Sequence, residues 1–148
     1  ERDPTRGIDG LNIPSPYMDV AFASDGTIWV ANTGMHRLES YSRDGEITGY
    51  FGEPSAGVMG FCGCCNPSHF AIMPDGRFVT SEKGTPRTKI WNQDGEVEEV
   101  VAAPSAFTPN VLGLDTAVDA SGRIFILDPP AKLLRVFGRR DAAEPASD

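Results

Sequence analysis

The chain has 148 residues, with 13 Lys and Arg against 21 Asp and Glu and a formal net charge of −8. That balance argues against nucleic-acid binding, which needs a clustered basic face. No run of about 20 apolar residues occurs, so no transmembrane segment is expected.

The first segment, residues 1–17, reads as an irregular lead-in rich in Asp and Pro, with little to bury. It opens Glu1-Arg2-Asp3 without an initiator Met, as expected of a processed or excised fragment. No charged n-region with an apolar stretch behind it is present.

From Met18 onward one phrase occurs three times. An apolar strand runs into a turn, Ala23-Ser24-Asp25-Gly26, Met73-Pro74-Asp75-Gly76 or Asp119-Ala120-Ser121-Gly122, and a second apolar strand follows. Six residues after each turn glycine stands a polar residue: Asn32, Glu82, Asp128. A further turn comes as Asp44-Gly45, Asp94-Gly95 and Arg140-Asp141, and an aromatic holds one offset as Tyr41, Trp91 and Phe137. Asp-Gly and Ser-Gly supply the positive φ of tight hairpin turns, and the flanking Val, Ile, Thr and aromatic runs are strand formers. With 16 Gly and 12 Pro and no sustained spacing of three and four between apolar residues, no helix is predicted. Short antiparallel sheets repeated every 40 to 50 residues pack radially round a channel. The expected fold is therefore all-β, a β-propeller.

The predicted blades span 18–52, 68–103 and 114–140, each four-stranded, with a Cys-rich loop over 53–67 and a disordered tail over 142–148. The aromatics at Tyr41, Trp91 and Phe137 are expected to be buried between neighbouring sheets. Three blades are too few to close a ring. The remaining blades, from the same protein or a second subunit, are thus the first expected partner, because open sheet edges and apolar faces invite association. The third copy shows no obvious outermost strand.

The segment Met18–Gly52 resembles an NHL repeat: an Asp-Gly turn, an aliphatic strand ending in Val-Ala-Asn, a link Gly34-Met35-His36-Arg37 and an aromatic strand. Met35 departs from the Asn usual there, and the other copies replace the link with Lys83-Gly84-Thr85-Pro86-Arg87 and Pro129-Pro130-Ala131-Lys132. The resemblance implies half of a six-bladed ring, a fold that carries enzymes and scaffolds alike.

All three cysteines, Cys62, Cys64 and Cys65, lie in the Gly-rich loop. Three readings stay open for them. With His69 they offer three thiolates and an imidazole for a metal ion or iron–sulfur cluster; Cys64 and Cys65 form a vicinal disulfide; or the thiols pack under the loop. No other cofactor is expected. Aligning the copies puts Asp19, His69 and Asp115 where the first strand begins and Asn32, Glu82 and Asp128 where the second ends. Antiparallel pairing brings both sets, with the Cys loop, to one channel mouth. Asn32 and Asp128 also suit turn capping, and Glu82 and His69 stand out as functional.

The sequence thus reads as a binding or scaffold module with protein partners, not primarily an enzyme, with a Cys-rich metal or redox site and an extracytoplasmic leaning. The alternative is a metal-dependent propeller enzyme, of the lactonase or hydrolase type, whose channel cation is held by oxygen ligands such as Asn32, Glu82 and Asp128.

Overall fold

The computed structural model describes residues 3, 5 and 10–138. Its strands run in chain order as antiparallel meanders. The first sheet is β1 (Val20–Phe22), β2 (Ile28–Asn32), β3 (Arg37–Tyr41) and β4 (Ile47–Phe51), and the second is β5 (His69–Ile72), β6 (Phe78–Glu82), β7 (Arg87–Trp91) and β8 (Val97–Ala102). The third holds β9 (Thr116–Val118), β10 (Ile124–Asp128) and β11 (Leu133–Phe137). Three such sheets in succession are blades of a partial β-propeller. Short 3-10 turns stand at Thr33–Met35 and Pro104–Ala106.

The repeated turn does what its residues require. The Gly26, Gly76 and Gly122 amides donate to the carbonyls of Ala23, Met73 and Asp119, each at 2.9 Å, and the three glycines sit at φ +86°, +85° and +80°. A side chain disfavours that region, which is why Gly recurs there. The acid of each turn accepts a following amide: Asp25 from Thr27 (2.8 Å), Asp75 from Arg77 (3.2 Å), Asp119 from Ser121 (2.9 Å).

Alternation then assigns a face to each side chain. Between the first and second sheets Ala31, Leu38 and Phe51 meet Phe70, Phe78 and Trp91, with Phe61 of the loop inserted. The Phe78 ring lies 4.7 Å from Trp29 and 5.0 Å from Phe51. The Trp91 indole donates to Thr80 Oγ1 at 2.8 Å, so its one polar group is satisfied in the core. Between the second and third sheets Met73, Val79 and Ile90 pack on Ile124 and Ile126, capped by Phe107, Val111 and Leu114.

Two expectations need correction. Of the three recurring aromatics only Trp91 is fully buried; Phe137 is partly buried against the second core, and Tyr41 is half-buried. All three face the side on which a preceding blade would lie. Trp91 and Phe137 have that blade, and Tyr41 has none among the described residues. The third sheet has three strands where four were expected. The Arg140-Asp141 turn and the 142–148 tail lie outside the described residues.

Candidate functional site

The innermost strands β1, β5 and β9 each begin beside a titratable residue, and these three side chains meet. His69 Nδ1 lies 3.6 Å from Asp19 Oδ2 and 3.8 Å from Asp115 Oδ1. One ligand atom from each lies within 4.8 Å of the other two, which no other trio of His, Cys, Asp or Glu achieves among the described residues. Both carboxylates approach the same ring nitrogen at distances too long for a hydrogen bond. They are near the edge of a coordination polyhedron, since ligands about 2.1 Å from one ion stand about 3.4 Å apart.

Backbone amides orient the acids. Asp19 Oδ1 accepts from Val20 (2.8 Å) and Oδ2 from Phe70 (3.1 Å), which ties the first blade to the second; Asp115 Oδ1 accepts from Thr116 (2.9 Å). Side-chain exposure is 19% for His69, 26% for Asp19 and 64% for Asp115, so the group faces open space on the Asp115 side. Tyr17 stands edge-on to the imidazole, 6.0 Å between centroids, and lines the adjoining groove with Leu112 and Pro130.

The second set is not part of this group. Asn32, Glu82 and Asp128 are all buried, and each accepts an amide from the residue twenty positions earlier. Asn12 donates to Asn32 (3.0 Å), Cys62 to Glu82 (3.0 Å) and Thr108 to Asp128 (3.3 Å). Each therefore latches the incoming segment to its blade. Each also pairs with β3, β7 or β11: the Asn32 amide donates to Glu39 (2.9 Å), Arg87 grips Glu82 by two bonds (2.6 and 2.8 Å), and Arg135 Nη2 reaches Asp128 (2.7 Å). Burial alone would push the Asp128 carboxyl up, but Arg135 and Thr108 hold it below the usual carboxylate range. The bond to Glu82 holds the Arg87 guanidinium above its ordinary value.

Lys89 was not singled out in the sequence. It is fully buried, with Nζ 3.0 Å from Glu82 Oε1 and 3.1 Å from the Val58 carbonyl that it donates to, and it lies over the Phe61 and Trp91 rings at 4.6 and 4.5 Å. Burial pushes its ammonium down to about 8, against the opposing pull of Glu82. Thirteen residues past the turn glycine, it shares a register with Glu39 and Arg135. Three charges at one strand position were the available signal.

The Cys loop is held on all sides. Glu82 takes the Cys62 amide, His36 Nε2 donates to the Gly63 carbonyl (2.6 Å), and the buried Asn66 amide donates to the carbonyls of Cys62 (2.5 Å) and Lys83 (3.0 Å). Cys64 Sγ and Cys65 Sγ are in contact at 3.0 Å as free thiols, Cys64 exposed and Cys65 buried. The structure brings His69 to two carboxylates, not into a group with Cys62, Cys64 and Cys65.

The sequence matches no protein-family model and no curated protein. Solved structures do match. Virginiamycin B lyase from Staphylococcus aureus is similar at 13% identity and TM-score 0.55, over 86% of this chain and 43% of that one. A Bacteroides thetaiotaomicron protein of unknown function is similar at 17% identity and TM-score 0.62, over 86% and 37%. Kuenenia stuttgartiensis hydrazine synthase is similar at 13% and 0.51, over 88% and 38%. The chain spans less than half the length of each. No helix among the described residues is long and apolar enough to cross a membrane. At such identities the likeness carries the fold alone: this chain is a stretch of β-propeller.

Proposed function

We propose that this chain is part of a propeller binding module whose channel mouth takes up a divalent cation on Asp19, His69 and Asp115, the cation in turn holding an oxygen-bearing ligand. The observation that carries this is the approach of two carboxylates to one imidazole nitrogen at 3.6 and 3.8 Å without a hydrogen bond. An imidazole with two carboxylates suits a first-row ion such as Zn2+ or Mn2+. The exposure of Asp115 leaves room for further ligands on its side. The metal reading of the sequence is thus carried by oxygen and nitrogen donors rather than by thiolates. A hydrolase would use the same ion as a Lewis acid, and the open side supports that second reading.

The blades are proposed to be of the NHL type and the ring to be completed by further blades. The register of turns, link and aromatics supports this, as do the exposed apolar faces of the outer blades, with Phe22 71% and Leu134 56% exposed.

Calorimetric titration of the full chain with Zn2+ and with Mn2+ tests the cation site. One ion is expected to bind per chain, and His69→Ala or Asp115→Asn should weaken binding by about tenfold or more. Wild-type protein that takes up neither ion, or variants that bind equally well, would sink the reading.

A further inference from the structure

Beyond the cation site, the loop carries a second chemistry. Cys64 and Cys65 are adjacent in sequence and in contact at sulfur, 3.0 Å apart. One is open to solvent and the other is covered. No third metal-binding side chain closes around them within the distance that joins Asp19, His69 and Asp115, so the pair falls short of a tetrahedral thiolate centre. Two thiols in contact are instead a complete two-electron couple.

We infer that Cys64 and Cys65 form a redox-active vicinal dithiol that closes to a disulfide in response to small disulfides of the glutathione class.

The two sulfurs sit in different environments. Burial raises the cost of ionising Cys65, but Lys83, Cys64 and Ser15 around its sulfur outweigh that and hold the thiol below its ordinary value. Cys64 is shifted the other way, first by its hydrogen bond with Cys65. Of the two thiols, Cys65 is thus the easier to ionise. The Lys83 backbone is held beside the loop, because Asn66 Oδ1 accepts its amide (2.9 Å) and Asn66 Nδ2 donates to its carbonyl (3.0 Å). The segment carrying the thiols is fixed at its other end by the buried Lys89 ammonium on the Val58 carbonyl. A pair so held closes by a local change and not by a search through loop conformations.

The step balances as two exchanges. Exposed Cys64 passes its proton to the Cys65 sulfur in contact with it, bonds to one sulfur of the oxidant and expels the other as a thiolate. Cys65 then attacks Cys64 Sγ and expels the second thiolate. The two cysteines lose two electrons between them, the oxidant's disulfide is reduced to two thiols, and the two cysteinyl protons end on those thiols.

The full chain is equilibrated in buffers of graded reduced to oxidised glutathione, quenched, unfolded and alkylated, and its peptides are weighed. As the buffer becomes oxidising, two of the three thiols should become unreactive, with the new bond between Cys64 and Cys65 and Cys62 still alkylated. Cys65→Ser should accumulate glutathione on Cys64, and Cys64→Ser should leave the covered Cys65 unmodified in the folded chain. The wild-type series decides the matter even where a variant folds poorly. The inference is overturned by wild-type Cys64 and Cys65 staying alkylatable throughout, by a stable glutathione adduct at wild-type Cys64, by a bond that uses Cys62, or by a metal ion that shields both thiols until it is chelated.

Discussion

The middle blade and its two neighbours share one sequence pattern and differ in what covers them. Every residue of β6 and β7 is buried, whereas in β11 Leu133, Leu134 and Val136 are 51%, 56% and 54% exposed. On the opposite flank β1 leaves Val20 57% and Phe22 71% exposed. The middle sheet has a partner on each face and the outer sheets have one each among the described residues. What an apolar strand residue contributes to stability is therefore set by the adjoining blade, since the gain scales with area removed from water.

The comparison extends to the buried charges. Glu82 sits at full burial between Arg87 and Lys89, whose side chains are 7% and 0% exposed. Asp128 holds the same register in the third blade, but its partner Arg135 keeps 28% exposure. Glu82→Ala should give the largest loss, about 3–5 kcal/mol by urea denaturation, because two cations are left buried without their anion. A loss below about 1 kcal/mol would show that water or rearrangement satisfies them. Asp128→Ala should cost less, about 1–3 kcal/mol, since Arg135 can turn to solvent. Equal losses at both positions would break the contrast between middle and flanking blades.

Lys89 gives the contrast a pH dependence. Its folded value, about 8, lies below that of an exposed lysine. Between those values the unfolded chain binds a proton that the folded chain has released, so stability should rise as pH goes from about 8 towards 10. Lys89→Met should flatten that rise in denaturation midpoints measured across the window. Tyr41 opposes it only at higher pH, because burial and then Glu39 raise its phenol above the ordinary value near 10. A rise that persists in Lys89→Met would assign the dependence to another group.

The smallest effect belongs to the open flank. Leu134→Ser should change the stability of the chain's own fold by no more than about 0.5 kcal/mol, as expected for a half-exposed side chain. Its place to act is association, measured by light scattering at matched concentration. Less self-association than wild type is expected, and a loss of several kcal/mol instead would mean that the face is already covered.

Much of the fold could be read in the residues because the deciding interactions are local. Asp25-Gly26 and its two repeats make a turn within four residues, and the alternation on each side is a property of the strand alone. The recurrence at 50 and 46 residues then implied radial packing. The inner trio was legible for the same reason: antiparallel pairing places Asp19, His69 and Asp115 at one end of their strands. Which polar residues would be free was legible only in part, since Asn32 and Asp128 suited turn capping while Glu82 stood out as functional. Asn32, Glu82 and Asp128 have the chemistry of ligands, yet an amide from the incoming segment and a partner on the neighbouring strand occupy each of them.

The residues by themselves determined the strands, their order, the turn geometry and the grouping of three thiols in one loop, since each follows from neighbours in the chain. Only the tertiary structure decided that His69 turns to carboxylates instead of thiols, that Lys89 is buried over Trp91, and that Tyr41 lacks the cover Trp91 has. Those outcomes depend on which blade lies across each face, and that contact is made by residues distant in the chain, whose packing sets burial and charge together.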